Sequence, residues 1–433
     1  MDENAAGLAV LLVVVVVYSA AARRLDRLSV TSAIVFTAAG LALGTEGLDI
    51  LPLSLSLDAE TTKLLAESAL VVLLFADAST VDARAAGGDA ALVGRLLGIG
   101  LPLAVGIGAL LAAPLLPELS WAACALLAAM LAPTDAALGL SMFRNRAVPA
   151  RVRRVLNVES GLNDGVATPV VFFAIAVVVD EASATSTADA ASAIAEAARD
   201  LALGVGVGAA VGAAGGLLLL RARARGWTTP ESEEIGILAL AALTYTAALA
   251  AGANGFVAAF AGGLALGAVT RRALRERTGV TDDVGQVLAL LVWTLFGSLL
   301  VGPVLADGID WAAIAYAVLS LTVVRMVAVA LALAGTGFRW QTVALMGWFG
   351  PRGLASGVFL LIVVIELEGI APDVAETIAV TGTWTILLSV LLHGLTAGPL
   401  GRAYGRRAAA FAGPAPEREA GPEPRTRRRH MAT

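Results

Sequence analysis

Long apolar runs, separated by short polar loops, constrain this chain more than any other feature. The first run covers 5–22, and twelve further runs follow it. A helix needs about 20 apolar residues to cross the hydrocarbon core of a bilayer. Because a backbone in lipid must satisfy its own hydrogen bonds, such runs favour helices. The sequence therefore predicts an all-α polytopic membrane protein with about thirteen transmembrane helices.

Composition supports this class and excludes others. Hydrophobic residues make up 58% of the 433 residues and charged residues 15%, whereas charged residues make up about a quarter of a soluble protein. The net charge of -5 gives no support for nucleic-acid binding. The later spans are expected at about 28–44, 63–80, 92–115, 120–143, 155–180, 199–221, 233–251, 253–270, 284–304, 309–334, 341–366 and 376–400.

Basic residues alternate between the loops and so orient the chain. Clusters of arginine follow spans one, five, seven, nine and thirteen, whereas the intervening loops are acidic or neutral. Because Arg and Lys accumulate on the cytoplasmic side, we expect a multi-pass protein of the cell membrane with its N-terminus outside.

Residues 402–433 are rich in Ala, Gly, Pro, Glu and Arg. This composition predicts a short disordered cytoplasmic tail.

Two interrupted spans indicate an inverted internal repeat. Span five is broken by Ala132-Pro-Thr-Asp135, and span twelve by Gly347-Trp-Phe-Gly-Pro-Arg-Gly353. The breaks lie seven spans apart, so the two helices run in opposite directions, as crossing broken helices do in secondary transporters. We expect one transmembrane domain, 1–401, consisting of repeat one at about 5–180, a linker helix at about 199–221 and repeat two at about 233–401.

Span six carries the residues that point to ion chemistry. Ser160, Asp164 and Thr168 are spaced four residues apart and form one polar stripe, with Glu159 and Asn163 beside it. Acidic groups within a membrane mark ion or proton pathways. Oxygen ligands beside a carboxylate suit a hard cation such as Na⁺. The break in span five adds two further oxygen-bearing candidates, Thr134 and Asp135.

Counting the buried charges singles out one acid for titration. Arg325 lies within span eleven and needs a buried anionic partner. If that partner is Glu159, and if Asp135 and Arg352 balance the exposed ends of half-helices, Asp164 is left to titrate. One proton and one cation would then compete for it, which predicts electroneutral antiport. Other interpretations stay open: Glu159 and Arg325 as a structural pair, and Asp135 as a helix cap alone. His393 in span thirteen is interpreted as a packed helix residue.

Three motifs carry a resemblance to a known family. Glu159-Ser-Gly-Leu-Asn-Asp-Gly165, Pro133-Thr-Asp135 and Gly350-Pro-Arg-Gly353 together resemble the monovalent cation:proton antiporter-1 family. This family contains the NhaP-type Na⁺/H⁺ antiporters of prokaryotes and the eukaryotic sodium/proton exchangers. The resemblance extends to about Arg402. The Asn163-Asp164 pair is similar to that of this family, whereas related electrogenic antiporters carry Asp-Asp there.

The resemblance implies an NhaA/NhaP-like antiporter fold in which Asp164 binds both Na⁺ and H⁺. Ser160 and Thr134 would be further Na⁺ ligands, and Asn163 would hold the site in shape. It also implies a homodimer, no cofactor, and a six-helix core that moves against a fixed scaffold.

The resemblance further implies a buried ion pair between Glu159 and an arginine, for which Arg325 is favoured over Arg352. The leading hypothesis is thus an electroneutral Na⁺(Li⁺)/H⁺ antiporter. A K⁺/H⁺ antiporter of the same fold is the alternative, because spacing does not reveal cavity size. An intramembrane protease is a remote alternative, because this sequence contains none of the protease motifs Gly-x-Gly-Asp, Gly-x-Ser-x-Gly and His-Glu-x-x-His. A cation channel is disfavoured by the broken crossing helices. We therefore expect a transporter and not an enzyme.

Overall fold

The computed structural model describes residues 3–51, 60–80, 89–183, 187–271, 273–411 and 415–418. Within these ranges the chain is helical and contains no β-strand. The helices are α1 Glu3–Arg27, α2 Ser32–Leu43, α3 Glu60–Thr80, α4 Ala90–Leu115, α5 Trp121–Met130, α6 Leu140–Phe143, α7 Ala150–Ser183, α8 Thr187–Ala224, α9 Pro230–Ala250, α10 Gly255–Val269, α11 Gly279–Ala306, α12 Trp311–Ala332, α13 Trp340–Trp348, α14 Leu354–Glu368 and α15 Pro372–Ala409. Short 3₁₀ turns lie at Ala136–Gly139, Arg275–Arg277 and Pro416–Arg418.

Polar side chains fix where several of these helices begin. Asp310 accepts hydrogen bonds from the backbone N–H groups of Ala312 and Ala313 at 2.8 and 2.9 Å. Asn254 accepts from Val257 N–H at 3.0 Å. Such caps satisfy backbone donors that have no partner within the helix itself. The polar loops of the sequence therefore serve as helix starts.

The predicted spans coincide with helices, and both predicted breaks are present. Among the described residues, eight helices are long and apolar enough to cross a membrane, and three apolar helices are shorter. Span five is divided into α5 and α6, and span twelve into α13 and α14. The total of thirteen crossings stays a prediction, since several of these helices are short or divided.

The helices form two bundles. The first bundle consists of α1–α3 and α8–α11, in which α10 packs along α8 and α3. Gly208 and Gly212 of α8 lie so close to the α10 backbone that a Cβ atom would collide with it, a close packing that small residues permit in membranes. The second bundle consists of α4–α7 and α12–α15, with α5 against α4 and α7, and α15 against α12 and α14.

Three π-helical turns interrupt the described helices, and one of them, Phe296–Val301, lies in α11. The other two lie in corresponding spans of the predicted repeats. One covers Leu96–Gly100 in α4, and the other covers Ser320–Val324 in α12. These helices correspond to spans four and eleven, the same offset of seven that separates the two breaks. Single π-turns alter the backbone pairing of a helix and are frequent near functional sites. The turn in α12 ends immediately before Arg325.

The described part of the predicted tail is ordered further than its composition suggested. Helix α15 continues to Ala409, so the predicted boundary at 402 falls inside it. Ala and Arg are good helix formers, and the Tyr404 hydroxyl lies 2.8 Å from Thr342 Oγ1. The buried carboxylate of Glu417 accepts hydrogen bonds from Thr342 Oγ1 and from Arg339 N–H, each at 2.8 Å. Residues 419–433 lie outside the described part of the chain.

Candidate ion site

The two breaks lie against each other, and Asp135 contacts the second break through both its backbone and its side chain. Its backbone N–H donates to the Pro351 carbonyl at 2.8 Å. Its carboxylate accepts from Leu354 N–H at 3.2 Å and from Ala137 N–H at 2.7 Å. Leu354 is the first residue of α14. Because the N-terminus of a helix carries partial positive charge, a carboxylate there is stabilising. Asp135 of the first break thus caps the half-helix that follows the second break.

Arg352 makes the reciprocal contact. Its Nη1 donates to the Ala132 carbonyl at 2.8 Å, just beyond the end of α5, and its Nη2 donates to the Ser320 carbonyl at 3.4 Å. The side chain is 1% exposed. Carbonyl oxygens at the end of a helix carry partial negative charge. Arg352 of the second break therefore compensates the half-helix that precedes the first break.

Arg325 is bound to Glu159 and connects α12 to α7. Both guanidinium nitrogens Nη1 and Nη2 donate to the two carboxylate oxygens at 2.9 Å. This bidentate geometry is the strong form of the Arg–carboxylate pair. The residues are 3% and 2% exposed, so each charge depends on the other for compensation. A Cβ atom at Gly350 would collide with the Arg325 side chain, which explains why glycine suits this position.

Thr134, Ser160 and Asn163 form a buried polar cluster, which we call the Thr134 cluster. Thr134 Oγ1 lies 3.1 Å from Ser160 Oγ and accepts a hydrogen bond from Asn163 Nδ2 at 2.6 Å. Asn163 Oδ1 is buried and has no hydrogen-bond partner among the described residues. These contacts join the first break to the middle of α7. They gather hydroxyl and amide oxygens within the second bundle.

Asp164 lies on the same face of α7 as Ser160, one helical turn further along. Asp164 is only 6% exposed. The hydroxyl of Thr168 donates to the Asp164 carbonyl at 2.7 Å, and Pro169 lies inside α7 without ending it. The structure thus brings Asp164 near the Thr134 cluster, directs Asp135 to α14, and places Glu159 on Arg325.

One contact was not anticipated from the sequence. Ser389 Oγ of α15 accepts a hydrogen bond from Arg352 N–H at 2.6 Å and lies 3.0 Å from His393 Nδ1. The signal in the sequence was a hydroxyl and an imidazole four residues apart in an apolar helix, which places them on one face. Their relation to the second break depends on tertiary packing.

Comparisons with known proteins agree with this geometry. The family model "Sodium/hydrogen exchanger, transmembrane" matches residues 10–403. The fold is similar to that of the sodium proton antiporter MjNhaP1 from Methanocaldococcus jannaschii at pH 8, with a TM-score of 0.72, 21% identity, and coverage of 92% of this chain and 99% of that one. An electron-microscopy structure of MjNhaP1 gives the same TM-score and identity, with 94% and 99% coverage. No curated protein sequence is similar enough to count as a match.

The NhaP1 likeness establishes an antiporter fold, as the motifs had indicated. The family match covers most of the chain and includes the breaks, the Thr134 cluster and Asp164. The protein is therefore a member of the sodium/hydrogen exchanger family, the transmembrane cation/proton antiporters.

Proposed function

We propose that this chain is an electroneutral Na⁺(Li⁺)/H⁺ antiporter in which the cation and the proton compete for Asp164. The observation that carries the proposal is the position of Asp164, one turn from the Thr134 cluster in the middle of a long apolar helix. Carboxylate, hydroxyl and amide oxygens are hard ligands that suit an alkali cation. Thr134 and Ser160 supply the hydroxyl ligands, and Asn163 holds Thr134 in place.

The neighbouring acids support this assignment, because each is held by another group. Glu159 forms the bidentate pair with Arg325, and Asp135 caps α14. Both charges are thereby compensated within the protein. A site that carries either one proton or one monovalent cation has the same charge in both states. Exchange through such a site is electroneutral.

The proposed alternating access is a movement of the second bundle, which holds the site, against the first bundle. The proposed assembly is a homodimer. At the boundary between the bundles, Phe172 of α7 stacks on Phe256 of α10 with ring centroids 4.7 Å apart. Lys63 of α3 bonds Glu366 of α14 at 2.7 Å across the same boundary. These contacts separate when the bundles slide. The protein lies in the cell membrane with its N-terminus outside and its C-terminus in the cytoplasm.

Reconstitution into proteoliposomes tests the proposal. A Na⁺ gradient is expected to drive proton movement in the native protein, and Asp164→Asn is expected to abolish it, because an amide does not bind a proton in exchange for a cation. Asp373→Asn, at an exposed acid in the first turn of α15, is the matched control and retains exchange. Exchange by Asp164→Asn at the native rate would refute the assignment.

Two further arms of the same assay define the ion and the stoichiometry. A Li⁺ gradient is expected to drive proton movement as a Na⁺ gradient does, whereas a K⁺ gradient of equal concentration drives little. Efficient exchange with K⁺ would identify a K⁺/H⁺ antiporter. An imposed membrane potential leaves the initial rate unchanged if one cation exchanges for one proton. A rate that follows the voltage would contradict electroneutrality.

A further inference from the structure

One peptide group in the second break is held at both ends. Its C=O belongs to Pro351 and accepts from Asp135 N–H at 2.8 Å. Its N–H belongs to Arg352 and donates to Ser389 Oγ at 2.6 Å. Asp135 directly follows Thr134, whose hydroxyl lies in the Thr134 cluster. A single amide thus connects α15 to the backbone of the first break.

His393 holds Ser389 from the opposite side. Its Nδ1 lies 3.0 Å from Ser389 Oγ and 3.1 Å from the Ser389 carbonyl. Both residues are completely buried. The imidazole ring packs 5.0 Å from the ring of Trp348, the last residue of α13. The indole Nε1 of Trp348 donates to Thr396 Oγ1 at 3.1 Å, which fixes that ring on α15.

We propose that Ser389 and His393 are positioning residues for the cation site, acting through the Pro351–Arg352 peptide on Asp135 and Thr134. This inference rests on the proposed function, because the site it positions is the one at Asp164 and the Thr134 cluster. The roles are assigned from the donors and acceptors. Ser389 Oγ accepts the Arg352 N–H. Nδ1 of a neutral His393 faces both the hydroxyl and the carbonyl oxygen of Ser389, so the ring proton on Nδ1 is donated to these oxygens and holds the Ser389 side chain in place.

Hydrogen-bond cooperativity gives this arrangement its effect. An amide whose N–H is already bonded is a better acceptor at its C=O. Ser389 therefore strengthens the bond that holds Asp135 N–H on Pro351. Without the hydroxyl, the buried Arg352 N–H loses its partner and the break relaxes, since an unpaired buried donor is costly. Thr134 moves with the adjacent Asp135 backbone, and the cation loses the ligand distances that it requires.

Variants of α15 test the inference by the cation concentration at half-maximal exchange. Ser389→Ala is expected to raise this concentration about three- to tenfold, the loss of one buried hydrogen bond. Ser389→Thr keeps the hydroxyl and restores most of the affinity. His393→Phe keeps an aromatic ring but removes the nitrogen that contacts Ser389, and gives a smaller rise. Thr385→Val is the matched control. Thr385 is equally buried one turn earlier, and among the described residues its hydroxyl bonds only the Thr381 carbonyl of its own helix, at 2.8 Å.

Hydrogen–deuterium exchange of the Arg352 amide provides a readout that does not depend on transport. The amide is expected to exchange faster in Ser389→Ala than in the native protein or in Thr385→Val. If Ser389→Ala does not fold, His393→Phe is measured in its place. The inference would be overturned if Ser389→Ala left the cation concentration at half-maximal exchange unchanged, or if Thr385→Val raised it equally. It would also be overturned if the Arg352 amide exchanged no faster in Ser389→Ala than in the native protein. If the native protein exchanges no cations, the proposed function fails, whereas the amide measurement still decides whether Ser389 holds the break.

Discussion

The two breaks are built alike but carry opposite chemistry. The first break contributes Asp135, whose carboxylate caps α14, and the second contributes Arg352, whose guanidinium binds the carbonyl beyond α5. Each break therefore compensates the exposed helix end of the other. Only the first break also contributes a hydroxyl, that of Thr134, to the buried cluster on α7. The two breaks of the inverted repeat therefore stabilise each other symmetrically and form what we call the frame. The ion-binding groups lie only beside the first break.

This difference separates charges that stabilise the frame from the charge proposed to exchange. Charged groups within a membrane are expensive, and Asp135, Arg352, Glu159 and Arg325 each meet a compensating group in the protein. These four residues are expected to govern stability. Asp164 and the Thr134 cluster are expected to govern exchange.

Breaking the Glu159–Arg325 pair is the strongest test of that separation. Glu159→Gln leaves the buried Arg325 guanidinium without its carboxylate, and the expected cost is roughly 3–5 kcal/mol of stability. The measurement is thermal unfolding of the purified protein in detergent. Glu159→Leu combined with Arg325→Met removes both charges and is expected to recover most of the loss. A single variant as stable as the native protein would show that the pair contributes little to the frame.

Replacing Gly353 by alanine tests how closely the breaks cross. A Cβ atom at Gly353 would collide with the Cβ atom of Asp135, whereas a Cβ atom at Gly357 would meet open space. Overpacking of this kind costs about 1–3 kcal/mol. We expect Gly353→Ala to lower both the melting temperature and the exchange rate, and Gly357→Ala to change neither. Equal behaviour of the two variants would contradict the crossing geometry.

Removing the Thr134 hydroxyl gives the smallest expected effect and probes the side of the frame that carries the chemistry. Thr134→Val keeps the shape but leaves Asn163 Nδ2 without its acceptor. The cation concentration at half-maximal exchange is expected to rise about fivefold, while stability falls by about 1 kcal/mol. Thr294→Val is the control, because this buried hydroxyl of the first bundle bonds, within the described part of the chain, only the Leu290 carbonyl of its own helix. An unchanged half-saturation in Thr134→Val would remove Thr134 from the site.

Local chemistry made some of these features predictable. Proline marked both breaks, because Pro133 and Pro351 have no N–H to donate, and glycines marked the second break as well. An arginine in the middle of an apolar span required an anionic partner, as with Arg325. The NhaP-like fold was implied by the resemblance of the three motifs to a known family.

Contacts that depend on tertiary packing were not predictable in this way. Arg325 was favoured over Arg352 as the partner of Glu159, but the bidentate geometry of the pair depends on where α12 meets α7. That Asp135 caps a helix of the opposite repeat depends on how the breaks cross. Composition placed a tail at 402, whereas burial of Tyr404 and Glu417 extends the ordered chain beyond that position. Ser389 acquires its role only because α15 lies beside the second break.

Competition between Na⁺ and H⁺ at Asp164 is tested most directly by counting protons during cation binding. Titration calorimetry of Na⁺ into the purified protein, in two buffers of different ionisation enthalpy and over a range of pH, gives the number of protons released. Competition predicts about one proton released per Na⁺ bound at the acidic end of the range, decreasing as the pH rises and the carboxylate ionises. In Asp164→Asn this release is expected to disappear. Na⁺ binding without proton release at every pH would contradict the central claim.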